Sequence, residues 1–333
     1  MNKSNKKLKL AIICSGGNSP GMNNAVIGFA KKCAQCNIDA YYFLWGYKGI
    51  TNNDIHPCNL RYLEEFTNRG NTIIGSGRLP SFATDVNVRK KAVKNLKKNG
   101  IDCLLVVGGE GSYQGAYKLS QLGAKVIAIP ATIDNDVNST QYTIGFDTCL
   151  NQVSKLINDI TDCFSSHDGI NLIEIMGRAC PDLTINTGIG SNIYMVTKYN
   201  ILKTEDFIKI VKHCKSQGKR AINFVVTEKI YGTNNLPTLA SIAKKIEATT
   251  GHMTRVTTIG YIQRGGTPSA RDRLIANYLV DKAVDLAKQG VFNKAVGINN
   301  KQIVAIELKR AVTMKRKSHN RYLVNKFNKI NLQ

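Results

Sequence analysis

Short apolar runs alternating with longer amphipathic stretches constrain this chain more than any other feature of it. Residues 8–14, 38–45, 103–107 and 126–129 are rich in apolar residues and too short to be helices. Residues 22–34, 86–98 and the stretch closing at Leu122 carry apolar residues at helical spacing. Such strand–helix–strand alternation predicts a mainly parallel sheet with helices on both faces. The second half repeats the style, with strands expected over 170–175, 220–227 and 254–259. Helices are expected there over 148–163, 204–217, 236–249 and 272–288. A length of 333 residues suits two α/β domains or one large unit.

Glycine gathers where strands should end. The runs Ser15-Gly-Gly-Asn-Ser-Pro-Gly21, Gly108-Gly-Glu-Gly-Ser-Tyr-Gln-Gly115 and Met176-Gly-Arg178 each follow a strand. Glycine lets a backbone approach phosphate closely, and the free N–H groups at a helix start favour an anion. Any one of these runs is also what an ordinary strand end looks like. The spacing Gly109-x-Gly111-x-x-x-Gly115 misses the dinucleotide fingerprint by one residue, and the chain holds no GxxxxGK[ST] motif. A P-loop enzyme and an ordinary dehydrogenase are both disfavoured.

The run Pro130-Ala-Thr-Ile-Asp-Asn-Asp136 leaves the strand at 126–129. Open α/β sheets bind ligands beyond the carboxyl ends of their strands. A carboxylate pair there can divide labour, one taking a proton from a hydroxyl while the other handles a metal or orients its partner. The same residues also make an ordinary Asp-rich turn.

Charge and cysteine usage bear on partners and compartment. Lys and Arg number 46 against 23 acids, a net charge of +23. Residues 1–9 carry four lysines and residues 309–333 eight basic residues, with no acid in either segment, so the remainder is only moderately basic. No nucleic-acid motif accompanies the charge, and phosphorylated metabolites suit it as well. The nine cysteines are scattered and odd in number, with one lone CxxC at Cys33 and Cys36, which argues for reduced thiols rather than a disulfide framework. No apolar stretch approaches the ~18 residues of a membrane span, and the basic start lacks a signal-peptide core. A cytoplasmic protein without a membrane or nucleic-acid partner is expected.

Taken in order, several blocks together resemble bacterial-type ATP-dependent 6-phosphofructokinase over about residues 8–308. They are Ser15-Gly-Gly-x-x-Pro-Gly-Met-Asn23, Gly75-Ser-Gly-Arg78, Gly108-Gly-x-Gly-Ser-Tyr113, Thr132-Ile-Asp-Asn-Asp136, Met176-Gly-Arg178, Thr227-Glu228 and Ile262-Gln-Arg-Gly-Gly266. The resemblance implies two α/β domains, the nucleotide-binding one from 1–145 plus 258–308 and the sugar-phosphate-binding one from 146–257 plus 309–333. It implies phosphoryl transfer from ATP, with Mg2+, to the 1-hydroxyl of fructose 6-phosphate in glycolysis. Asp134 would be the base, supported by Thr132 and Asp136, with Arg78 and Arg178 neutralising charge in the transition state. Gly16 and Gly17 would hold the γ-phosphate. Tyr47, Arg78, Leu79, Gly108, Gly109, Glu110, Gly111, Ser112 and Gly115 would line the nucleotide site, and Glu110 and Asp136 would serve the metal. Met176, Gly177, Arg178 and Glu228 would contact the sugar, while Arg255, Tyr261 and Arg264 would lie at its 6-phosphate. Arg255 would reach in from a neighbouring subunit, implying a homotetramer with shared sites, in a family whose members are allosteric.

The chain also departs from that pattern. Glu110 stands for a usual Asp, Asn18 for an Asp, Gly169 for an arginine of the 6-phosphate pocket, Tyr261 for a histidine, Ala83 for an arginine and Ala131 for a glycine. Pyrophosphate-dependent relatives carry Asp at the position of Gly111 and Lys at that of Ala131; two small residues here favour ATP. The thinned phosphate grip leaves two alternatives: a kinase for another sugar phosphate, or a catalytically weak paralogue that binds nucleotide or a partner.

Overall fold

The computed structural model describes residues 7–178, 180–315 and 320–332. The basic residues Lys3, Lys6, Arg316 and Lys317 lie outside the described residues. In chain order the strands are β1 (Lys9–Ser15), β2 (Asp39–Phe43), β3 (Ile55–Pro57), β4 (Ser76–Gly77), β5 (Cys103–Gly108), β6 (Val126–Pro130), β7 (Ile170–Ile175), β8 (Tyr194–Val196), β9 (Ile222–Thr227), β10 (Thr254–Thr258), β11 (Lys294–Asn299) and β12 (Gln302–Glu307). They form two sheets in two compact units. One unit takes the chain up to Thr148 and again from Arg264; the other runs from Cys149 to Gln263 and takes back the C-terminal helix Asn320–Asn331.

The first sheet has the order β12-β11-β6-β5-β1-β2-β3, with β4 beside the end of β1. It is parallel except at its rims, where β3 runs against β2 and β12 against β11. β1 shows why the central strands sit there. Leu10, Ile12 and Cys14 enter one core while Ala11 and Ile13 enter the other, and all five are fully buried. A strand with both faces covered needs this continuous apolar run rather than alternation with polar residues. The helices Met22–Gln35 and Ala270–Lys288 cover the first face; Val86–Lys98 and Glu110–Ser120 cover the second.

The second sheet is wholly parallel in the order β10-β7-β9-β8. Its core packs Leu172, Phe224 and Val226 against Phe207 and Val211 of the helix Thr204–Ser216 and Ile242 and Ile246 of the helix Leu239–Thr250. Phe207 meets Phe224 edge-on with ring centroids 5.0 Å apart.

The central strands and long helices fall within two or three residues of the expected bounds. The strands β3, β4, β8, β11 and β12 were not expected, nor were the short helices Tyr47–Asn52, Leu60–Glu64, Pro80–Thr84, Asp182–Gly190 and Leu308–Thr313. β3, β4 and β8 are two or three residues long, too short for a periodicity to show; β11 and β12 are six residues each and were missed all the same. The hairpin β11–β12 did carry a local signal. Asn299 pairs with Gln302, and Asn300 and Lys301 both have positive φ, at 48° and 63°. That is the two-residue loop whose twist matches antiparallel strands.

Lysine is a poor occupant of such a position and glycine a good one. Lys301→Gly relieves the left-handed strain but frees the unfolded chain, so a net gain of about 0.5 kcal/mol is expected. Thermal unfolding of the variant should show a midpoint raised by roughly 1–2 °C. A lowered midpoint would mean that the loop is not built as described.

Candidate active site

Four strand ends of the first unit finish level. Ser15 of β1 pairs with Gly77 of β4 on one side and Gly108 of β5 on the other, and Gly108 pairs in turn with Pro130 of β6. Parallel strands in this register release their following turns along one edge. The residues delivered there are Gly16 and Gly17, Arg78, Gly109 to Ser112, and Ala131 to Asp136.

The approach at the centre is close. The Ser112 hydroxyl donates to the Ser15 carbonyl at 3.0 Å, with Ser112 buried. A Cβ on Gly108 would meet Ser112 Oγ and stand 2.5 Å from Ser15 O, so only glycine fits. Gly16, at φ 96°, turns the chain over this contact, and its N–H donates to Gly77 O at 3.3 Å. Gly109 opens the helix Glu110–Ser120 without a side-chain cap. The first turn of that helix therefore presents backbone N–H groups where an anion would sit. Glu110 is exposed at this helix start, and nothing lies within 4 Å of a Cβ built on Gly111.

Tyr47 lies beneath rather than beside this turn. It is 4% exposed, its hydroxyl donates to Ser112 O at 2.5 Å, and its ring stacks on Phe82 at 4.1 Å. The ring fills the place of a side chain on Gly115, whose Cβ would come within 2.7 Å of it. Burial pushes the Tyr47 phenol well above its ordinary pKa. Leu79 packs into the same core as Tyr47 and starts the short helix Pro80–Thr84.

The loop after β6 is held by its own polar side chains. The Asp134 N–H donates to Thr132 Oγ1 at 3.2 Å, and the Thr143 hydroxyl to the Thr132 carbonyl at 2.7 Å. Asn135, at φ 52°, accepts from Thr143 N at 3.1 Å and donates to Gln141 O at 3.3 Å. Thr132 and Asp134 are buried and Asp136 half-buried. A Cβ on Gly109 would lie 3.5 Å from Thr132 Cβ, so this loop abuts the glycine turn.

Arg264 belongs to the first unit and sits over Gly17. A Cβ on Gly17 would be 2.8 Å from its Nη1, which donates to Asn18 O at 3.2 Å. Asn18 ties three segments together: its amide donates to Gly70 O at 2.7 Å and Arg264 O at 2.8 Å, and it accepts from Thr72 Oγ1 at 2.5 Å. Arg78, just beyond β4, is exposed. The role of Asn18 was missed from sequence, because its partners lie 52, 246 and 54 residues away.

The second unit repeats the arrangement. Ile175 of β7 pairs with Thr227 of β9, so Met176-Gly177-Arg178 and Glu228 leave neighbouring strand ends. Arg178 adopts φ 55°, a left-handed geometry uncommon for arginine, and its N–H donates to a Glu228 carboxylate oxygen at 2.9 Å. Gly177 precedes it at φ 151°. The Met176 N–H donates to Oε1 of the fully buried Gln263 at 3.0 Å, a positioning contact not anticipated although Gln263 lies in a quoted block. Arg255 is exposed and ion-paired to Glu247 at 2.8 Å, and Tyr261 is 83% exposed.

Asp134, Asp136 and Glu110 offer hard carboxylate oxygens. No group of three or more His, Cys, Asp or Glu suited to a metal occurs among the described residues. Hard oxygens of this kind are the donors Mg2+ takes, usually one or two carboxylates together with waters and substrate phosphates.

Comparison with known proteins places these features in context. The phosphofructokinase family model matches residues 9–287. An ATP-dependent 6-phosphofructokinase of Vibrio cholerae is 40% identical over 310 residues, spanning 92% of this chain and 95% of the relative. One from Teredinibacter turnerae is 41% identical over 296 residues, spanning 89% and 90%. Among solved structures, phosphofructokinase from Saccharomyces cerevisiae superposes with a TM-score of 0.83 at 25% identity, covering 98% of this chain and 48% of that one. A pyrophosphate-dependent phosphofructokinase from Nitrosospira multiformis gives 0.82 at 18% identity, covering 98% and 92%, a likeness of fold alone.

Gly108→Ala tests the strand-end geometry. The added methyl has no flexible side chain to displace at Ser15 O, and a loss of at least ~2 kcal/mol is expected. Denaturant unfolding measures it; a loss under ~0.5 kcal/mol would contradict the close approach.

Proposed function

This chain belongs to the phosphofructokinase family, and from that premise we propose that it transfers the γ-phosphoryl group of ATP to the 1-hydroxyl of fructose 6-phosphate. The level ending of β1, β4, β5 and β6 carries the reading, because it gathers glycine turns, an arginine and the Asp134 loop at one edge. Phosphoryl transfer asks mainly for positioning and charge stabilisation, and these are the residues that supply both.

In this reading the N–H groups at Gly16, Gly17 and the start of the helix Glu110–Ser120 hold the donor phosphates. Gly111 and Ala131 leave room for a nucleotide where a larger side chain would favour pyrophosphate. Asp134 takes the proton of the 1-hydroxyl, and its loop is kept in place by Thr132, Thr143 and Asn135. Arg78 and Arg178 offset the charge that spreads over the transferring group. Glu228 orients the sugar and fixes Arg178 through that residue's backbone. Arg264 and, from a neighbouring copy, Arg255 meet the 6-phosphate with fork-like donors. Arg255 must then exchange its partner Glu247 for the ligand. Mg2+, held by Asp136 and Glu110 together with the phosphates, would supply neutralisation of charge on the donor. The role given to Arg255 requires copies that share sites, and the family resemblance makes that assembly a homotetramer.

One observation favours a second acceptor. A Cβ on Gly169 would stand 2.8 Å from Phe164 Cδ1 and 3.0 Å from Met253 Cε. The position is filled by neighbours, so the altered phosphate grip is built into the packing. Another sugar phosphate is the alternative acceptor.

Initial rates of ADP formation with Mg-ATP and fructose 6-phosphate test the reading. Asp134→Ala is expected to lower kcat by at least ~1,000-fold, in keeping with loss of a base within a positioned set. No rate above the Asp134→Ala control with fructose 6-phosphate, but a rate with another sugar phosphate, would establish the second acceptor. Gly169→Arg alone is expected to lower stability by ~1–3 kcal/mol through overpacking, measured by urea unfolding.

A further inference from the structure

Two glycines interlock distant segments of the first unit. Gly21 and Gly145 both take φ 99°. A Cβ on Gly21 would stand 2.7 Å from Ile144 Cγ2, and a Cβ on Gly145 would collide with Ser19 Oγ. Each glycine thus leaves the space that a side chain of the other segment fills. Ser19 is fully buried at this joint, and its hydroxyl donates to the Ile144 carbonyl at 2.7 Å. It falls at an unspecified position of the first sequence block, and no motif accounts for its hydroxyl.

The joint connects two parts of the candidate active site. Ser19 closely follows the turn at Gly16 and Gly17, and its carbonyl accepts from Met22 N at 3.2 Å, at the start of the helix Met22–Gln35. On the other side Ile144 runs beside the Asp134 loop. Its carbonyl also accepts from Thr132 N at 3.0 Å, and its N–H donates to Pro130 O at 3.0 Å. Thr132 in turn accepts from Asp134 N through Oγ1 at 3.2 Å. One carbonyl, that of Ile144, therefore takes hydrogen bonds both from the segment of the glycine turn and from the Asp134 loop. Deleting the Ser19 hydroxyl would leave that carbonyl paired with Thr132 and orphan no buried group, so it isolates the tie without opening the loop.

We propose that Ser19 is a positioning residue for phosphoryl transfer: its hydroxyl fixes the Asp134 loop relative to the glycine turn that holds the donor phosphates. Being fully buried, it touches neither substrate. Its contribution falls on the alignment of base and phosphate, which counts in the transition state and little in the binding of either ligand. The roles of the two loops rest on the kinase reading; the tie between them rests on the geometry of the joint.

Ser19→Ala removes the hydroxyl alone. It is expected to lower kcat on the order of 10-fold, with KM for ATP and for fructose 6-phosphate changed less than about twofold. Val93→Ala opens a cavity in the second core of the same unit, on the helix Val86–Lys98. It should lower the thermal midpoint at least as much as Ser19→Ala does and leave kcat within about twofold of native, because a merely structural loss does not act on alignment. The positioning role is overturned if Ser19→Ala keeps kcat within about twofold, if the change falls on KM instead, or if Val93→Ala loses kcat equally. Hydrogen exchange of the ligand-free proteins, read by mass spectrometry over residues 131–145, reports the tie without turnover. Ser19→Ala is expected to exchange there about 5-fold faster than the native chain; equal exchange overturns the tie. Should the native chain show no rate with fructose 6-phosphate, kcat is compared on whichever sugar phosphate it accepts. Should it accept none, the kinase reading fails and the positioning role with it, while faster exchange in the variant shows that the tie itself stands.

Discussion

The contact on which the rest of the first unit depends is the meeting of Ser15, Gly108 and Ser112. Its hydrogen bond from Ser112 to the Ser15 carbonyl is buried, and a side chain on Gly108 would push the two apart. Because β1 and β5 touch this closely at their ends, their following turns start at the same height. β4 and β6 join the same register. Turns from sequence positions as far apart as 16 and 136 are thereby gathered at one edge. The core itself lies one layer below, in apolar faces that would fold a sheet whatever chemistry stood on its edge.

Polar side chains then fix what the strands deliver. Asn18 joins the first turn to Gly70, Thr72 and Arg264; Thr143 and Asn135 tie down the Asp134 loop; Gln263 holds the Met176 turn. Each is a side chain answering groups that a loop leaves open. The pattern explains why amides and hydroxyls are so frequent among the buried polar residues here. A buried hydrogen bond contributes about 1 kcal/mol and costs more to leave unmade, so these loops are rigid for a physical reason.

Much of this was legible in the linear chain. Central strands announced themselves because burial on both faces demands an uninterrupted apolar run, as in residues 10–14. The long helices showed their period. The glycine turns and the Asp134 loop were visible because close backbone approach permits few residue types. The rim strands were not legible: β3, β4 and β8 are two or three residues long and take their identity from a neighbour. Tyr47 was expected near the nucleotide site; its ring lies under Gly115 and its hydroxyl donates to Ser112 O, 65 positions away, a contact no local pattern could show.

The sequence by itself determined the layers and the chemistry available. Period and apolarity are properties of adjacent residues, and they suffice to specify parallel sheets, covering helices and glycine turns at strand ends. Only the tertiary structure decided which of those turns lie side by side and which tyrosine is buried. Those outcomes depend on strand register and on left-handed turns such as the one at Arg178. Register is settled by pairs between separate strands, such as Ser15 with Gly108 and Ile175 with Thr227, and no local pattern carries that information.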